Sequence, residues 1–431
     1  MVARLARQAG LNARVLMLSD PAKVKGDAHT MLQAWEESGG VVEPYEGLPK
    51  RCDLIVDALL GTGLEREVSG RWAEAILEVN RHPAPVLAID IPSGLNSDNG
   101  RSMGCAIEAD ATISFIGLKR GMFTAEGPDF CGALHFDALE LPARIYARQI
   151  LAARRIDWSK QVLTLSPRRR SAHKGAFGHL LVIGGDLGYS GAVRMAGEAA
   201  ARTGAGLVSI ATRHEHARLL NLGRPELMCR GVDEPNELEP LLAQADVIAL
   251  GPGLGKGPWS RALYERVMNS ALPLVVDADG LNLLAEAPRR RNDWILTPHP
   301  GEAARLLGCS VAQVEADRFA AVERLQATFG GVVVLKGAGS LIQGESNRPV
   351  ALCSDGNPGM ASGGSGDLLT GIIAALLAQG DSSQAAAEMG VCLHAAAGDR
   401  AAQAGERGML ATDLLPEIRS LLNPGVIDAE S

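Results

Sequence analysis

The sequence predicts an α/β protein of two domains. At 431 residues the chain is longer than one ordinary hydrophobic core can organise. Short apolar runs that do not alternate with polar residues recur between helical segments, the pattern of a parallel sheet covered on both faces. Glycine-rich turns follow several of these runs, at the strand ends where open α/β sheets place their ligands.

In the first half, residues 14–18, 54–58 and 86–91 read as strands, with helices over 29–37 and 72–80 between them. Residues 111–116 and 133–137 add two more strands and bring a first domain to 1–149. Residues 150–172 are polar, basic and poor in helix signals, and read as a connector. A longer domain over 173–424 has strands at 179–183, 207–211, 247–250, 274–277, 295–297 and 332–336. Helices are expected at 192–202, 261–268, 302–307 and 311–328. Short strands at 340–342 and 350–353 lead into a glycine loop. Helices over 368–378, 385–404 and 412–421 follow, then a tail over 425–431.

Composition narrows the function classes. Hydrophobic residues make up 46% and charged residues 21%, and the net charge is −8. That is a soluble globular balance with no basic stripe for nucleic acid. Arg168-Arg169-Arg170 reads as a solvated run in the connector. The seven cysteines lack Cys-x-x-Cys spacing, which argues against a disulfide framework or a zinc site. No signal peptide or membrane-length apolar span stands out, so a cytoplasmic protein with no membrane partner is expected.

The most informative stretch runs from Gly356 to Asp367 and opens an apolar helix. Glycines let consecutive N–H groups turn toward one point, and the helix start adds its positive dipole end. The loop, with Gly364, Ser365 and Gly366, therefore reads as an anion cradle. Asp367 stands where a base could take a proton from a hydroxyl attacking a bound phosphoryl group; the alternative is a simple N-cap.

Further motifs end the earlier strands: Gly184-Gly185 with Ser190-Gly191-Ala192, Gly251-Pro252-Gly253-Leu254-Gly255, Asp277-Ala278-Asp279, Thr297-Pro298-His299-Pro300-Gly301-Glu302, and Lys336-Gly337-Ala338-Gly339-Ser340. Neither a Walker A loop nor a Rossmann Gly-x-Gly-x-x-Gly is present. Phosphate binding then rests on the loop before Asp367, helped by Lys336 unless that residue is only a snorkelling strand-end lysine. His299 either touches substrate or bonds locally at a helix entry. Asp277 and Asp279 either touch substrate or solvated Mg²⁺ or cap the next turn. His214-Glu215-His216 lacks the spacing of a zinc motif.

Together with His173-Lys174-Gly175, these motifs resemble the dehydratase domain of the bifunctional NAD(P)H-hydrate repair enzymes, over residues 173 to about 424. The resemblance implies a ribokinase-like, three-layer α/β/α domain. It also implies dehydration of the S form of NAD(P)H hydrate at the expense of ADP, or of ATP in some members, with Mg²⁺. Asp367 would be the base, Gly364, Ser365 and Gly366 the anion hole, and Lys336, Gly337, Ala338, Gly339 and Ser340 the nucleotide side. Ala192, Gly253 and His299 would line the hydrate pocket. Two other readings stay open: a ribokinase-like kinase of a small alcohol, and a nucleotide-binding module without turnover.

In the first domain, Val56-Asp57-Ala58 and Ile89-Asp90-Ile91-Pro92-Ser93 end two strands with an aspartate and a turn of small residues. They resemble the epimerase domain of the same enzymes, a Rossmann-like three-layer domain that interconverts R and S hydrates with K⁺ bound. By that resemblance Asp57 and Ser93 are K⁺ ligands and Asp90 the acid/base. Gly61, Thr62, Gly63, Leu64, Glu65, Arg66 and Glu67 contact the hydrate. The family also has a lead-in and an Asn-Asn-Gly-Gly-Asp-Gly loop ahead of the helix at Met1, absent from this sequence. The expectation is a truncated domain with impaired epimerase activity, or a start site placed too late. Exposed apolar surface at the sheet edge, and association into a homo-oligomer, should follow.

Overall fold

In the computed structural model, residues 1–344 and 347–424 are described; the tail expected over 425–431 lies outside them. The chain divides into a smaller unit, residues 1–122 and 126–148, and a larger one, which takes in 123–125 and everything from Gln149.

The smaller unit has six short strands: β1 (Val15–Met17), β2 (Val42–Pro44), β3 (Ile55–Asp57), β4 (Val86–Ile89), β5 (Ala111–Phe115) and β6 (Ala133–Asp137). β3-β4-β5-β6 form a parallel sheet in that order, while β1 and β2 pair as a separate two-stranded ladder. The helix Arg71–Arg81 buries Ala75, Ile76 and Val79, and Ile76 and Val79 join Val86, Ala88 and Ile107 in a small core. Leu54 and Val56 at the β3 edge are 51% and 39% exposed.

The larger unit carries β7 (Ala153–Ile156), β8 (His179–Ile183), β9 (Leu207–Thr212), β10 (Met228–Gly231), β11 (Val247–Leu250), β12 (Leu274–Val276), β13 (Trp294–Leu296), β14 (Val332–Leu335), β15 (Ser340–Gln343) and β16 (Val350–Cys353). They form one sheet in the order β10-β9-β8-β11-β12-β13-β14-β15-β16-β7. It is parallel from β10 to β14, and β15 pairs antiparallel with both β14 and β16. β8, β11, β12, β13 and β14 are buried at every residue, which is why they read as unbroken apolar runs.

One face of the sheet, with Leu180, Val182, Ala249 and Val334, packs on the helices Ser190–Thr203, Ser365–Ala378, Ser383–Ala401 and Leu414–Leu421. On the other, Arg318–Phe329 lies against β14 and β15. The helices Ser190–Thr203 and Ser365–Ala378 approach so closely that a Cβ on Gly371 would stand 2.1 Å from the Ala196 carbonyl oxygen.

Two expectations change. The segment read as a connector supplies β7, which pairs with β16, and the short helix Trp158–Gln161; Ile156 and Trp158 are 2% and 8% exposed. Ala-Arg-Arg-Ile carries too little apolar signal to read as a strand, because an edge strand keeps one side in water. The single helix expected over 311–328 is two, Val311–Ala316 and Arg318–Phe329. Between them Asp317 adopts extended backbone and its side chain caps the second by accepting from Ala320 N.

Candidate active sites

In the larger unit the site gathers at the C-terminal ends of β12, β13 and β14, beneath the start of the helix Ser365–Ala378. Gly364 is that helix's N-cap in the left-handed region, φ 97°. A side chain there would be strained and would meet Met195 at 2.4 Å, so glycine lets the loop close against the helix Ser190–Thr203. The Ser362 hydroxyl in the same loop is shielded from solvent and has no hydrogen-bond partner among the described residues. An orphaned hydroxyl beside the N–H groups of a helix start fits the phosphates of a nucleotide. Ser365 Oγ lies 3.3 Å from Nε2 of His394, whose burial pushes it down to about 4. His394 is thus a neutral ring supporting the loop from behind.

Asp367 sits in the first helical turn, and its carboxylate accepts no hydrogen bond among the described residues. Burial, and then the charge of Asp277, push it up to about 7, against the opposing pull of Lys336. A carboxylate so placed has the chemistry of a proton acceptor near neutral pH. Lys336 sits just beyond β14. Its ammonium bonds Asp277 at 2.6 Å and lies 3.9 Å from Glu302. The side chain is only 18% exposed, so it serves first as a buried counter-ion and not as an open phosphate ligand.

The remaining sequence candidates fall around this centre. Ala192 lies in the first turn of the helix Ser190–Thr203, and Gly253 is next to it: a Cβ on Gly253 would stand 3.1 Å from that of Ala192. His299 caps the helix Pro300–Leu307, Nδ1 accepting from Gly301 N at 2.9 Å, so the local bonding role is real. Its side chain is 50% exposed, with Nε2 3.5 Å from Glu302 Oε1. Gly337, Ala338, Gly339 and Ser340 form the turn between β14 and β15. It is held from behind by Arg318, which donates to the Lys336 carbonyl at 3.1 Å, and by Thr124, which donates to that of Ala338 at 3.3 Å. Asp277 is 2% exposed and engaged on both oxygens, while Asp279 accepts from Gly255 N and Asn282. Neither aspartate is placed to take an open metal ligand's role.

Glu302 was not singled out from the sequence. It is 6% exposed, accepts from His299 N at 2.9 Å, and is raised to about 7 by burial and the nearby Asp277, against Lys336. Its position at the end of Thr-Pro-His-Pro-Gly-Glu was the available signal; the capping box concealed its burial.

In the smaller unit the structure joins Asp57 and Ser93, 3% and 1% exposed. Ser93 donates its hydroxyl to Asp57 Oδ1 at 2.6 Å and its N–H to Oδ2 at 2.7 Å; Ser93 Oγ also lies 3.1 Å from the Leu60 carbonyl. Burial raises Asp57 above the usual carboxylate range. A buried carboxylate beside hydroxyl and carbonyl oxygens is a donor set that fits a hard monovalent cation.

Gly61, Thr62, Gly63, Leu64, Glu65, Arg66 and Glu67 form the adjoining loop, exposed except at Leu64. The loop is tied down where Ser97 donates to the Thr62 carbonyl and Asn96 to that of Leu64. Asp90 ends β4 in the left-handed region, φ 70°, a strained position for a residue with a side chain. Its Oδ1 accepts from Phe115 N at 3.1 Å and pairs with Lys119, a residue the sequence reading did not select.

Comparison with known proteins agrees with this architecture. A family model described as NAD(P)H-hydrate dehydratase matches residues 180–420, and one described as YjeF-related protein N-terminus matches residues 1–121. A bifunctional NAD(P)H-hydrate repair enzyme of Coxiella burnetii is 49% identical over 427 residues, covering 98% of this chain and 87% of that protein. Its Escherichia coli counterpart is 45% identical, covering 99% and 83%.

Among solved structures, a ribokinase-like superfamily protein from Enterococcus faecalis matches with TM-score 0.59 at 29% identity, over 64% of this chain and 96% of that one. The ADP/ATP-dependent NAD(P)H-hydrate dehydratase of Bacillus subtilis, co-crystallised with ATP and Mg²⁺, gives 0.55 at 27%, over 61% and 95%. The larger unit has the ribokinase-like fold, and the smaller matches the epimerase-side family model. These comparisons lend no support to a truncated N-terminal domain. The chain belongs to the family of bifunctional NAD(P)H-hydrate repair enzymes.

Proposed function

We propose that the larger unit restores hydrated NAD(P)H, removing water from the S hydrate in two steps driven by ADP, with ATP as the alternative donor. The observation that carries this reading is Asp367: a carboxylate raised to about 7 in the first turn of a helix that opens from a glycine-rich loop. Asp367 takes the proton of the C6 hydroxyl as its oxygen attacks the terminal phosphoryl group. The Ser365 and Gly366 N–H groups and the Ser362 hydroxyl hold the transferring charge. The ring nitrogen's electron pair then expels phosphate from C6, and loss of the C5 proton to water restores the C5–C6 double bond and the nitrogen's electron pair.

Mg²⁺ needs only one or two carboxylates when it is bound largely by nucleotide phosphates. Held by those phosphates, the ion would neutralise charge on the transferred group. Ala192, Gly253 and His299 face the hydrate, and Gly337, Ala338, Gly339 and Ser340 the nucleotide, with Lys336 acting beneath them.

For the smaller unit we infer R and S hydrate epimerisation. Asp90 is the acid/base, residues 61–67 contact the substrate, and Asp57 and Ser93 hold K⁺, whose charge would order the oxygens around it. The seven free thiols support a reducing, cytoplasmic setting. The apolar β3 edge supports self-association.

Incubation of the full chain with the S hydrate of NADH and ADP tests the main reading. Return of NADH absorbance with release of AMP and phosphate is expected. A stable phosphorylated product points instead to a kinase, and nucleotide binding without turnover to a binding module.

A further inference from the structure

Asp277, just beyond β12, is almost solvent-free and binds three side chains from three other elements. Its Oδ1 accepts from Lys336 Nζ at 2.6 Å and from Thr297 Oγ1 at 2.8 Å, and its Oδ2 from Thr370 Oγ1 at 2.9 Å. Thr297 follows β13 and Lys336 follows β14. Thr370 lies one turn beyond Asp367 on the helix Ser365–Ala378. A Cβ on Gly366 would stand 3.3 Å from Lys336 Nζ and 3.7 Å from Asp277 Oδ2, so the ion pair lies directly beneath the turn that carries Asp367. With both oxygens engaged and 2% exposure, Asp277 has no face left for a substrate.

We propose that Asp277 is the positioning residue of the dehydration. It fixes the Lys336 ammonium under Asp367 and, through Thr370, locks the base-bearing turn to the ends of three strands. The role rests on Asp367 being the base. Its electrostatic side follows from counting charges. Asp367 is faced by Asp277 beyond β12, by Lys336 beyond β14 and by Glu302 on the helix Pro300–Leu307. His299 and Arg305 border Glu302, and neutral His394 lies behind Ser365. One ammonium among three carboxylates leaves the group short of positive charge, so the base holds its proton more tightly than an ordinary carboxylate. Removing the charge of Asp277 relieves that repulsion and leaves Lys336 to the two remaining carboxylates. Both changes favour the ionised form of Asp367.

The test uses the full chain, the S hydrate of NADH and ADP, with kcat and KM followed as a function of pH. Asp277→Asn is expected to lower kcat about 10–100-fold through misplacement of the base, with a smaller change in KM. It should also move the acid limb of kcat/KM to lower pH. Thr370→Val, which keeps every charge, should lower kcat while leaving the limb in place. Lys336→Met should move the limb the opposite way, to higher pH, and it carries the test if Asp277→Asn does not fold. A fully active Asp277→Asn, or one that loses activity with its limb unmoved, overturns the proposal, as does an unmoved limb in Lys336→Met. Wild-type turnover in Asp367→Asn would instead overturn the assignment of the base.

Discussion

Each unit ends a parallel strand with a buried aspartate, yet the two sites surround their carboxylates differently. Around Asp367, three acidic groups share one lysine, and the result is a proton held near neutrality. In the smaller unit, Asp57 is surrounded by donors from Ser93 and Leu59, and Asp90 is paired with Lys119. Like charges crowd the carboxylate of Asp367 and add to the effect of burial, whereas the donors around Asp57 oppose it, a setting suited to holding a cation or an ordered hydroxyl. The contrast lies in the second layer of residues, since the strand–aspartate–turn motif is common to both.

Substitutions can break that contrast. Asp367→Asn should lower the dehydration rate by roughly 10²–10⁴-fold, read as NADH absorbance, without altering R to S interconversion measured by chromatography. Asp90→Asn should do the reverse. Loss of both activities in either variant would show that the two sites do not work separately. Next in size, Asp57→Ala leaves the Ser93 N–H and hydroxyl and the Leu59 N–H without their acceptor. It should destabilise the smaller unit by about 1–3 kcal/mol in denaturant titrations, with dehydration unchanged.

A smaller and opposite effect is expected from Asp367→Asn on stability. The folded value of Asp367 lies above its unfolded one, so its contribution is fully present below the unfolded carboxylate value. It is lost progressively as pH rises to about 7. At pH 8 the variant should therefore be the more stable, with a Tm about 2–4 °C higher for each kcal/mol relieved. The two should converge near pH 4. A lower Tm for the variant at pH 8 would mean that Asp367 is not held against its charge.

The sequence revealed what repeats locally and concealed what depends on pairing at a distance. β8, β11 and β14 were legible because strands buried on both faces must be continuously apolar. β10 and β7 at the sheet margins were not, since β10 buries none of its four residues and β7 only one. The loop before Asp367 could be read as an anion cradle from glycine spacing alone. The ion pair of Lys336 with Asp277 could not, because 59 residues separate the two and only the adjacency of strand ends brings them together. Ser310-x-x-Gln313 and Asp317 did announce two helix starts within one apolar period, which outweighed them in the reading of 311–328.

The missing side chain at Gly371 has a mechanical consequence. Backbone lies against backbone where the helices Ser190–Thr203 and Ser365–Ala378 cross, and Gly364 closes on Met195 nearer their starts. At that crossing no side chain can change rotamer to let them slide, so the two helices act as the arms of a caliper riveted at one point. The spacing of their starts, which carry Ala192 and Asp367, is thereby tied to the one contact at Gly371.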